Sequence, residues 1–377
     1  MEYKDVRIFK VSRMYTPNYL EGEFYIKVVN GTISEITKKR PDGNFIDLSQ
    51  FIVMPGFVDV HIHGFEGFDV SESGMDAVIE MSRRLPKTGV VAFLPTFVSI
   101  PFEDLKKKLE SIKLDYKGFY AVPLGVHVEG AFINPKKKGA MDNRFFISGD
   151  TEKAKEIIQF KNVKMLTVAP EVEGALEVIN FLVKNEISVS IGHSDATFEE
   201  VLEAYLNGAN SITHLFNAMA PFNHREPSVI GGALYFDFYL QIIADTHHTS
   251  PYVLKLLKPY SDRVVLITDA IEATNLREGV YKLGSFEVFV KDGTARLSDG
   301  TLAGSILTMD KGFKNLVMYG DFSIEQAVRA ASLNPLKSIH NFSFGEIKVN
   351  KLANFVCVDN GFNVRKTIIN GEIVYEE

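Results

Sequence analysis

Histidines and carboxylates stand at the carboxyl ends of several apolar runs in this sequence. They are His61, His63, Glu129, His193, His214 and Asp269. Imidazole nitrogens and carboxylate oxygens bind a divalent metal such as Zn²⁺ at about 2.0 to 2.2 Å. Three protein ligands leave one coordination position open, and a metal in such a site activates water and polarises a carbonyl. These residue types therefore indicate a hydrolytic metal site, provided that the fold brings them together.

The runs that end in these residues belong to a regular repeat of short apolar and longer amphipathic segments. Eight apolar runs start at Phe57, Gly89, Tyr120, Val163, Ile187, Ser211, Tyr239 and Arg263. Apolar residues at helical spacing predict helices over 75–85, 102–112, 151–160, 173–185 and 197–208. Eight strands alternating with helices fit a (β/α)8 barrel of about 250 residues better than an open sheet, and catalytic groups of that fold lie at the carboxyl ends of the strands.

The expected barrel separates stronger from weaker metal candidates. Glu129, His193 and His214 come from three different strands and would lie at the same end of the barrel. Separate structural roles would not explain why three residues of ligand type converge there. His61 and His63 are two residues apart and can therefore lie on the same face of their strand. H-x-H by itself is a common pattern, so this pair is the weaker candidate.

Asp269 ends the eighth run, so in a closed barrel it would adjoin the first strand. A carboxylate in this position can take a proton from an attacking water and return it to a leaving group. His127 lies on the same face of its strand as Glu129 but one layer deeper. For His127 and for His340 we expect structural roles.

The loops after the sixth and seventh runs carry groups that suit an anionic substrate. "HLFNAMAPFNHREP" offers the Asn217 amide, the Ala218 N–H and the Arg225 guanidinium, which can grip a phosphate through two hydrogen bonds. "ADTHHTSP" adds His247 and His248. From composition alone, a solvated loop with a surface arginine is the slightly favoured interpretation.

Both ends of the chain show strand alternation in place of helices. Asn30-Gly31 and Asn370-Gly371 predict tight hairpin turns. We expect residues 1–53 and 346–377 to form one small β-sandwich domain and residues 54–345 to form the catalytic barrel. "SFEVFVKD" and "TARLSDG" predict a further hairpin, inserted after the eighth barrel strand.

Composition excludes several classes of function. The formal net charge of -7 over 377 residues provides no basic face for nucleic acid. No run approaches the roughly 18 apolar residues of a membrane span. The opening residues lack the pattern of a secretory signal, and a lone Cys357 cannot form an internal disulfide. We expect a cytoplasmic protein with no membrane or nucleic-acid partner, in which Cys357 is buried and inert.

The sequence resembles the N-acetylglucosamine-6-phosphate deacetylases of the amidohydrolase superfamily. Six segments occur in the order seen in that family: "MPGFVDVHIHG", "GVHVEGAFINPKKKGA", "IGHSDAT", "THLFNAM", "LITDAIEAT" and "LAGS". "THLFNAM" together with "HVEG" is quite specific to this branch, whereas H-x-H and an Asp on strand eight indicate only the superfamily. The terminal β domain is also a feature of the superfamily.

The resemblance implies removal of the acetyl group from N-acetylglucosamine 6-phosphate, which gives glucosamine 6-phosphate and acetate. It implies that Asp269 is the general base and acid and that Glu129, His193 and His214 bind the principal metal. His61 and His63 would be a second-metal pair or polar neighbours of the first metal. The implied contacts with the substrate are made by Asn217, Ala218, Arg225, His248, Ala140, Leu302, Ala303 and Gly304.

The family also implies cofactors and assembly. One or two divalent ions per subunit are expected, with Zn²⁺ or Fe²⁺ as the first candidates, although Co²⁺ and Mn²⁺ accept the same ligands. A homodimer is expected, in which the neighbouring subunit contributes part of the phosphate grip. The partner is a small phosphorylated amino sugar, and the sequence does not separate glucosamine from its galactosamine epimer.

One position departs from the family pattern. Met141 follows "KKKGA" where the family commonly has a histidine that contacts the substrate near the reacting group. Methionine cannot donate a hydrogen bond, so either another residue takes this role or the metal alone polarises the carbonyl.

Two alternatives to this interpretation are another amidohydrolase and an inactive scaffold. Other amidohydrolases, such as cyclic amidases or N-acyl amino acid deacylases, often hold two metals with a carboxylated lysine, whereas strands three and four end here in Glu129 and Glu171. A catalytically inactive scaffold of the same fold would have lost ligands. Every candidate ligand and Asp269 are present, which favours the sugar deacetylase.

Overall fold

The computed structural model describes residues 5–16 and 18–377. Its barrel strands are labelled β1 to β8 in chain order: Phe57–Ile62, Val90–Phe97, Val126–Phe132, Val163–Val168, Ser188–Ile191, Ser211–Ile212, Tyr239–Ile243 and Val264–Ile267. Neighbouring strands pair in parallel from β1 through β8. The predicted (β/α)8 barrel is confirmed, and each of the eight predicted runs covers all or most of one of its strands.

The first and last strands meet just beyond their regular ends. The Asp269 N–H donates to the His61 carbonyl at 2.9 Å, and the His63 N–H donates to the Ala270 carbonyl at 2.9 Å. Below this junction, the buried carboxylate of Asp59 on β1 accepts the Thr268 hydroxyl at 2.5 Å. This junction between β1 and β8, which we call the seam, therefore brings His61 and His63 next to Asp269.

Helices cover the outside of the barrel. They span Val70–Ser73, Met75–Arg84, Phe102–Ser111, Thr151–Ile158, Ala175–Lys184, Phe198–Leu206, Ser228–Tyr235, Pro251–Leu256, Met309–Met318, Ile324–Val328 and Asn334–Ser338. All five predicted helices are present. The helix predicted over 197–208 begins one residue later because Thr197 is its N-cap: Thr197 and Glu200 form a capping box. No helix in the described part of the chain is long and apolar enough to cross a membrane.

Short helical turns connect some of these elements. Single 3₁₀ turns span Leu85–Thr88, Pro135–Lys137, Asn143–Phe145 and Lys258–Tyr260, and one π-helical turn spans Arg329–Leu333. Three short strands near the barrel span Gly64–Phe65, Phe68–Asp69 and Val122–Pro123.

Strands from the two ends of the chain combine in one mixed sheet. They span Val6–Thr16, Asn18–Val29, Thr32–Thr37, Ile46–Asp47, Ile52–Pro55, Phe355–Val358, Val364–Ile369 and Glu372–Glu376. Ile52–Pro55 pairs antiparallel with Phe355–Val358, which joins the N-terminal and C-terminal segments. Residues 1–4 and 17 of the predicted terminal domain lie outside the described residues.

Local features of this sheet agree with the sequence. Asn30 and Gly31 form a two-residue turn with φ values of 50° and 77°, and Asn370 and Gly371 do the same with 50° and 78°. Positive φ at both positions is the requirement of the turn that Asn-Gly favours. Cys357 is buried, and burial raises the pKa of its thiol to about 12, so it stays protonated and inert.

The hairpin predicted after β8 is a three-stranded antiparallel sheet over Gly279–Leu283, Phe286–Lys291 and Thr294–Arg296. We call residues 279–296 the insert. Leu283 and Val288 of the insert pack with Val98, which follows β2, and with Ile271, which follows β8. The insert is thereby held against the end of the barrel where the predicted catalytic residues lie.

Candidate active site

The barrel brings all six predicted ligand-type side chains to one place. They form two adjoining groups, one of Glu129, His193 and His214 and the other of His61, His63 and Asp269. Within each group, one potential ligand atom from each residue lies within 4.8 Å of the others. None of the six residues is more than 7 % exposed, so the groups form a buried site at the end of the barrel.

Glu129 joins the two groups. Its Oε1 lies 3.1 Å from His193 Nε2 and 2.9 Å from His214 Nε2. Its Oε2 lies 3.4 Å from His61 Nε2 and 3.1 Å from His63 Nε2. One carboxylate on β3 therefore faces four imidazoles from three other strands, an arrangement that lets it contribute to two metal positions.

Asp269 faces the histidine pair from the other side. Its Oδ1 lies 3.1 Å from His63 Nε2 and 3.4 Å from His61 Nε2. The backbone is left-handed at Asp269 (φ 52°), as it is at His193 (φ 48°) and His214 (φ 29°). Such conformations cost about 1 to 3 kcal/mol in a residue other than glycine and cluster at functional sites. Three strands thus leave the regular sheet geometry at a residue of this site.

The imidazole orientations fit a cation. His63 Nδ1 lies 3.1 Å from the Thr96 carbonyl oxygen, and His193 Nδ1 lies 2.8 Å from that of Lys137. A carbonyl oxygen only accepts, so both Nδ1 atoms carry a proton, and each Nε2 is turned toward the carboxylates. Burial would lower the pKa of His63, but its contacts with Asp269 and Glu129 outweigh burial and raise that pKa well above its ordinary value in the metal-free protein. A divalent metal would take the place of the Nε2 proton, and anchoring of Nδ1 is typical of metal-binding histidines.

Electrostatics keep the two carboxylates ionised. Burial alone would raise both pKa values, but the neighbouring imidazoles, His61 foremost, outweigh burial and hold the pKa of Glu129 well below its ordinary value. The pKa of Asp269 is lowered for the same reason, with His61 and His63 as the main causes. At neutral pH both groups are therefore anions, able to bind a metal or accept a proton.

The other two histidines considered for structural roles lie apart from the two groups. His127 is completely buried beneath the site, and its Nε2 lies 2.9 Å from the Thr167 hydroxyl. Burial holds the pKa of His127 well below its ordinary value, so the ring is neutral. His340 is exposed on the surface. The buried position of His127 agrees with a structural role, whereas His340 is a surface residue.

A cavity of about 400 Å³ opens above the two groups. Of the predicted substrate-contact residues, those that line it are Asn217, Ala218, His248, Ala140, Leu302 and Gly304. Ala303 is fully buried behind this lining. His248 Nδ1 lies 2.7 Å from Asp245 Oδ2, which holds the ring and leaves its Nε2 free.

Arg225 occupies a different place from the other predicted phosphate ligands. It is exposed, on a loop whose residues 221–226 are all exposed. It lines a second cavity, of about 600 Å³, together with Asp195 and Asn223. Within one chain, the structure therefore does not bring Arg225 to the cavity above the two groups.

Several lining residues were missed by the sequence analysis. Val98, Leu283, Arg296 and Thr301 also line the cavity. Arg296 is the only lysine or arginine among the described residues of this lining. Two of these residues lie in the insert, and the placement of the insert over the barrel mouth depends on tertiary packing that no local pattern specifies.

Glu171 supports the site without joining it. Its carboxylate accepts hydrogen bonds from the Asn134 amide at 2.8 Å, the Ser194 hydroxyl at 2.7 Å and the Asp195 N–H at 2.5 Å. These contacts tie the loop after β3 to the segment that follows His193. The carboxylate at the end of β4 thus positions a neighbouring loop, and no carboxylated lysine is needed in either group.

Comparisons with known proteins agree with this geometry. The model of the amidohydrolase family matches residues 52–374. The N-acetylglucosamine-6-phosphate deacetylase of Vibrio furnissii is 36% identical over 356 residues, which cover 92% of this chain and 89% of that protein. The N-acetylgalactosamine-6-phosphate deacetylase of Escherichia coli O157:H7 is 30% identical and covers 97% of this chain and 98% of its own.

A solved structure extends the comparison to the fold. The crystal structure of N-acetylglucosamine-6-phosphate deacetylase from Thermotoga maritima superposes with a TM-score of 0.89 at 35% sequence identity. The match covers 98% of this chain and 100% of that one. With the two ligand groups, the closed barrel and a family match over most of its length, the chain belongs to the amidohydrolase family.

Proposed function

We propose that this protein is a metal-dependent hydrolase that removes the acetyl group from N-acetylglucosamine 6-phosphate, giving glucosamine 6-phosphate and acetate. The observation that carries the proposal is the pair of ligand groups joined by Glu129, with an ionised Asp269 beside them at the base of a cavity. Deacetylases of phosphorylated amino sugars that match nearly the whole chain support the same substrate class.

The donor set suits a divalent metal, which the amidohydrolase family generally uses. Glu129, His193 and His214 would hold the principal ion, and His61 and His63 a second one, so that one or two ions bind per subunit. Zn²⁺ and Fe²⁺ are our first candidates because both accept imidazole nitrogen and carboxylate oxygen. When bound, the metal activates water and polarises the acetyl carbonyl.

Asp269 carries the proton in this proposal. Its carboxylate is ionised and reaches the cavity, so it can accept the proton of the water that attacks the acetyl carbon. The bond between that carbon and the sugar nitrogen then breaks, and Asp269 returns the proton to the departing amine. One water is consumed, and acetate and the amine are released.

Groups on the β6 and β7 side hold the sugar phosphate. The Asn217 amide and the Ala218 N–H can donate to phosphate oxygens within one chain, and the imidazolium form of His248, whose Nδ1–H is held by Asp245, can donate through Nε2. Arg225 is exposed and lies outside this cavity, so we propose that it reaches the cavity of a second copy in a homodimer. We also propose the division into a terminal domain of residues 1–53 and 346–377 and a catalytic barrel of residues 54–345.

The test is a comparison of substrates by acetate release. N-Acetylglucosamine 6-phosphate, its galactosamine epimer, unphosphorylated N-acetylglucosamine and an N-acetyl amino acid are each assayed with metal-loaded enzyme. We expect kcat/KM to be highest for the glucosamine phosphate and lower by at least about tenfold without the phosphate, since charged hydrogen bonds contribute about 1.5 to 3 kcal/mol. A higher kcat/KM for the galactosamine epimer would change the proposed substrate from the glucosamine to the galactosamine derivative. A preference for the amino acid would contradict the proposal.

A further inference from the structure

We propose that this enzyme also hydrolyses N-acyl groups longer than acetyl, because one side of its cavity is an apolar surface built to accept an acyl chain. We call this surface the acyl wall, formed by Val98, Met141 and Leu283. The inference rests on the proposed function, since the acyl carbonyl must lie at the two ligand groups for the chain to reach the wall.

The acyl wall is assembled from three separate segments. Val98 follows β2, Met141 lies in the loop after β3, and Leu283 ends the first strand of the insert. All three line the cavity, and each is only 4 % exposed. Each of the three side chains is therefore largely enclosed by other residues where it borders the cavity.

One hydrogen bond and one close contact join the three segments. The Asp142 N–H donates to the Ser99 hydroxyl at 3.0 Å, which ties the loop after β3 to the end of β2. A Cβ on Gly284 would lie 3.1 Å from Val98 Cγ2, so the insert contacts the end of β2 directly. Each residue of the acyl wall is thus next in sequence to a residue of this junction.

The acyl wall borders the reacting centre. Gly130 follows Glu129 directly, and a Cβ at Gly130 would lie 2.1 Å from the Ser99 nitrogen. Only glycine permits this approach, which places the segment of Val98 against β3 beside Glu129. On the other side of the loop that carries Met141, a Cβ at Gly139 would lie 3.3 Å from His193 Cε1.

The order of the strands sets the direction in which the substrate lies. The proposed phosphate ligands follow β6 and β7, whereas Val98 and Met141 follow β2 and β3. In a barrel of eight strands these two pairs lie on opposite sides. A substrate whose phosphate is held at β6 and β7 and whose carbonyl lies at the centre directs its acyl group toward β2 and β3.

The chemistry of the acyl wall favours methylene groups. Val98, Met141 and Leu283 present hydrocarbon and a thioether, which offer no hydrogen-bond donor to a polar acyl group. Burial of additional apolar surface against them favours binding, and a flexible methionine adapts to chains of different length. The reaction is unchanged: water adds its oxygen to the acyl carbon, the carbon–nitrogen bond breaks, the amine takes the proton, and propionate or butyrate leaves.

The experiment measures glucosamine 6-phosphate released from its N-acetyl, N-propionyl and N-butyryl derivatives by metal-loaded enzyme. A site restricted to acetyl rejects one added methylene by about 10- to 200-fold. We expect kcat/KM for the propionyl substrate within about tenfold of the acetyl value. A larger loss with acetyl activity intact would overturn the inference and leave the proposed function standing. Loss of all three activities would overturn the proposed function itself.

Variants test whether the acyl wall is responsible. Val98→Phe should narrow the cavity and lower the ratio of butyryl to acetyl hydrolysis by at least about tenfold. Met141→Gln, which keeps the length of the side chain but adds a polar group, should also lower this ratio. Val280→Phe is the matched control, because Val280 lies in the same insert but is 58 % exposed. A ratio unchanged in both wall variants, or lowered equally in the control, would reject the acyl wall.

Discussion

Glu129 is the residue on which the two halves of the site depend. Its two oxygens face different pairs of histidines, so it contacts both groups of potential ligands. The sequence predicted Glu129 as a ligand because it ends a strand. Its bridging position could not be predicted, because residue spacing along one strand does not report which imidazoles on other strands face each carboxylate oxygen.

His61 and His63 allow a prediction about metal content. In enzyme loaded with two ions per subunit, replacement of both by Asn should remove about one of them, because Glu129, His193 and His214 still offer the three ligands of a complete site. Metal analysis of the purified variant checks this number. His340→Asn is the matched control, since His340 is exposed. An unchanged metal content in the double variant, or loss of all metal, would contradict the assignment.

Met141 and Arg225 show two limits of prediction at the same scale. The substitution of methionine for a hydrogen-bonding residue was visible in the sequence, but Val98 and Leu283, which line the same cavity, come from distant segments. Arg225 was predicted to contact phosphate, yet its side chain lies outside the cavity of its own chain. Under the proposed function Arg225 reaches the cavity of a second copy, and the local sequence around such a residue does not indicate which cavity it contacts.

At the scale of elements, the strands and helices followed from local pattern, whereas the position of the insert did not. Apolar runs and helical periodicity predicted all eight barrel strands, and the Asn-Gly pairs predicted two hairpin turns. The insert was predicted as a hairpin after β8. Its packing on Val98 and Ile271, which makes it part of the cavity, depends on contacts between residues far apart in sequence.

The insert places a positively charged side chain, Arg296, at the cavity. Arg296 Nη1 donates to the Gly300 carbonyl at 2.8 Å, which orients the guanidinium. A Cβ at Gly293 of the same insert would lie 3.6 Å from His247 Nε2, so this end of the insert is close to the loop that carries His248. A positive charge near the proposed phosphate ligands favours a phosphorylated substrate.

Arg296→Gln should therefore raise KM for N-acetylglucosamine 6-phosphate by about tenfold or more, the effect of losing a hydrogen bond to a charged group. Hydrolysis of unphosphorylated N-acetylglucosamine should change little. Steady-state kinetics with both substrates measure whether the variant affects KM only for the phosphorylated one. Arg277→Gln provides the control, because Arg277 lies just before the insert, is exposed and does not line the cavity. Equal losses on both substrates would show that Arg296 does not act on the phosphate.

At the scale of the molecule, closure of the barrel creates the site. His61 and Asp269 are separated by most of the barrel sequence, and the backbone hydrogen bond across the seam makes them neighbours. Eight repeats of strand and helix predicted a closed barrel. In such a barrel the carboxyl ends of all eight strands lie at the same end. The terminal sheet also followed from alternation, whereas assembly between copies has no comparable pattern within one chain.

The central claim is that Asp269 moves the proton in a metal-dependent deacetylation. The most direct measurement is the rate of acetate release from N-acetylglucosamine 6-phosphate by Asp269→Asn, in enzyme shown by metal analysis to hold at least one ion per subunit. Asparagine keeps the shape of the side chain but cannot accept the proton. We predict a loss of about 10²- to 10⁴-fold in kcat, the contribution of general acid and base catalysis, with the substrate still bound. A kcat within about tenfold of the unmodified enzyme at the same metal content would contradict the account.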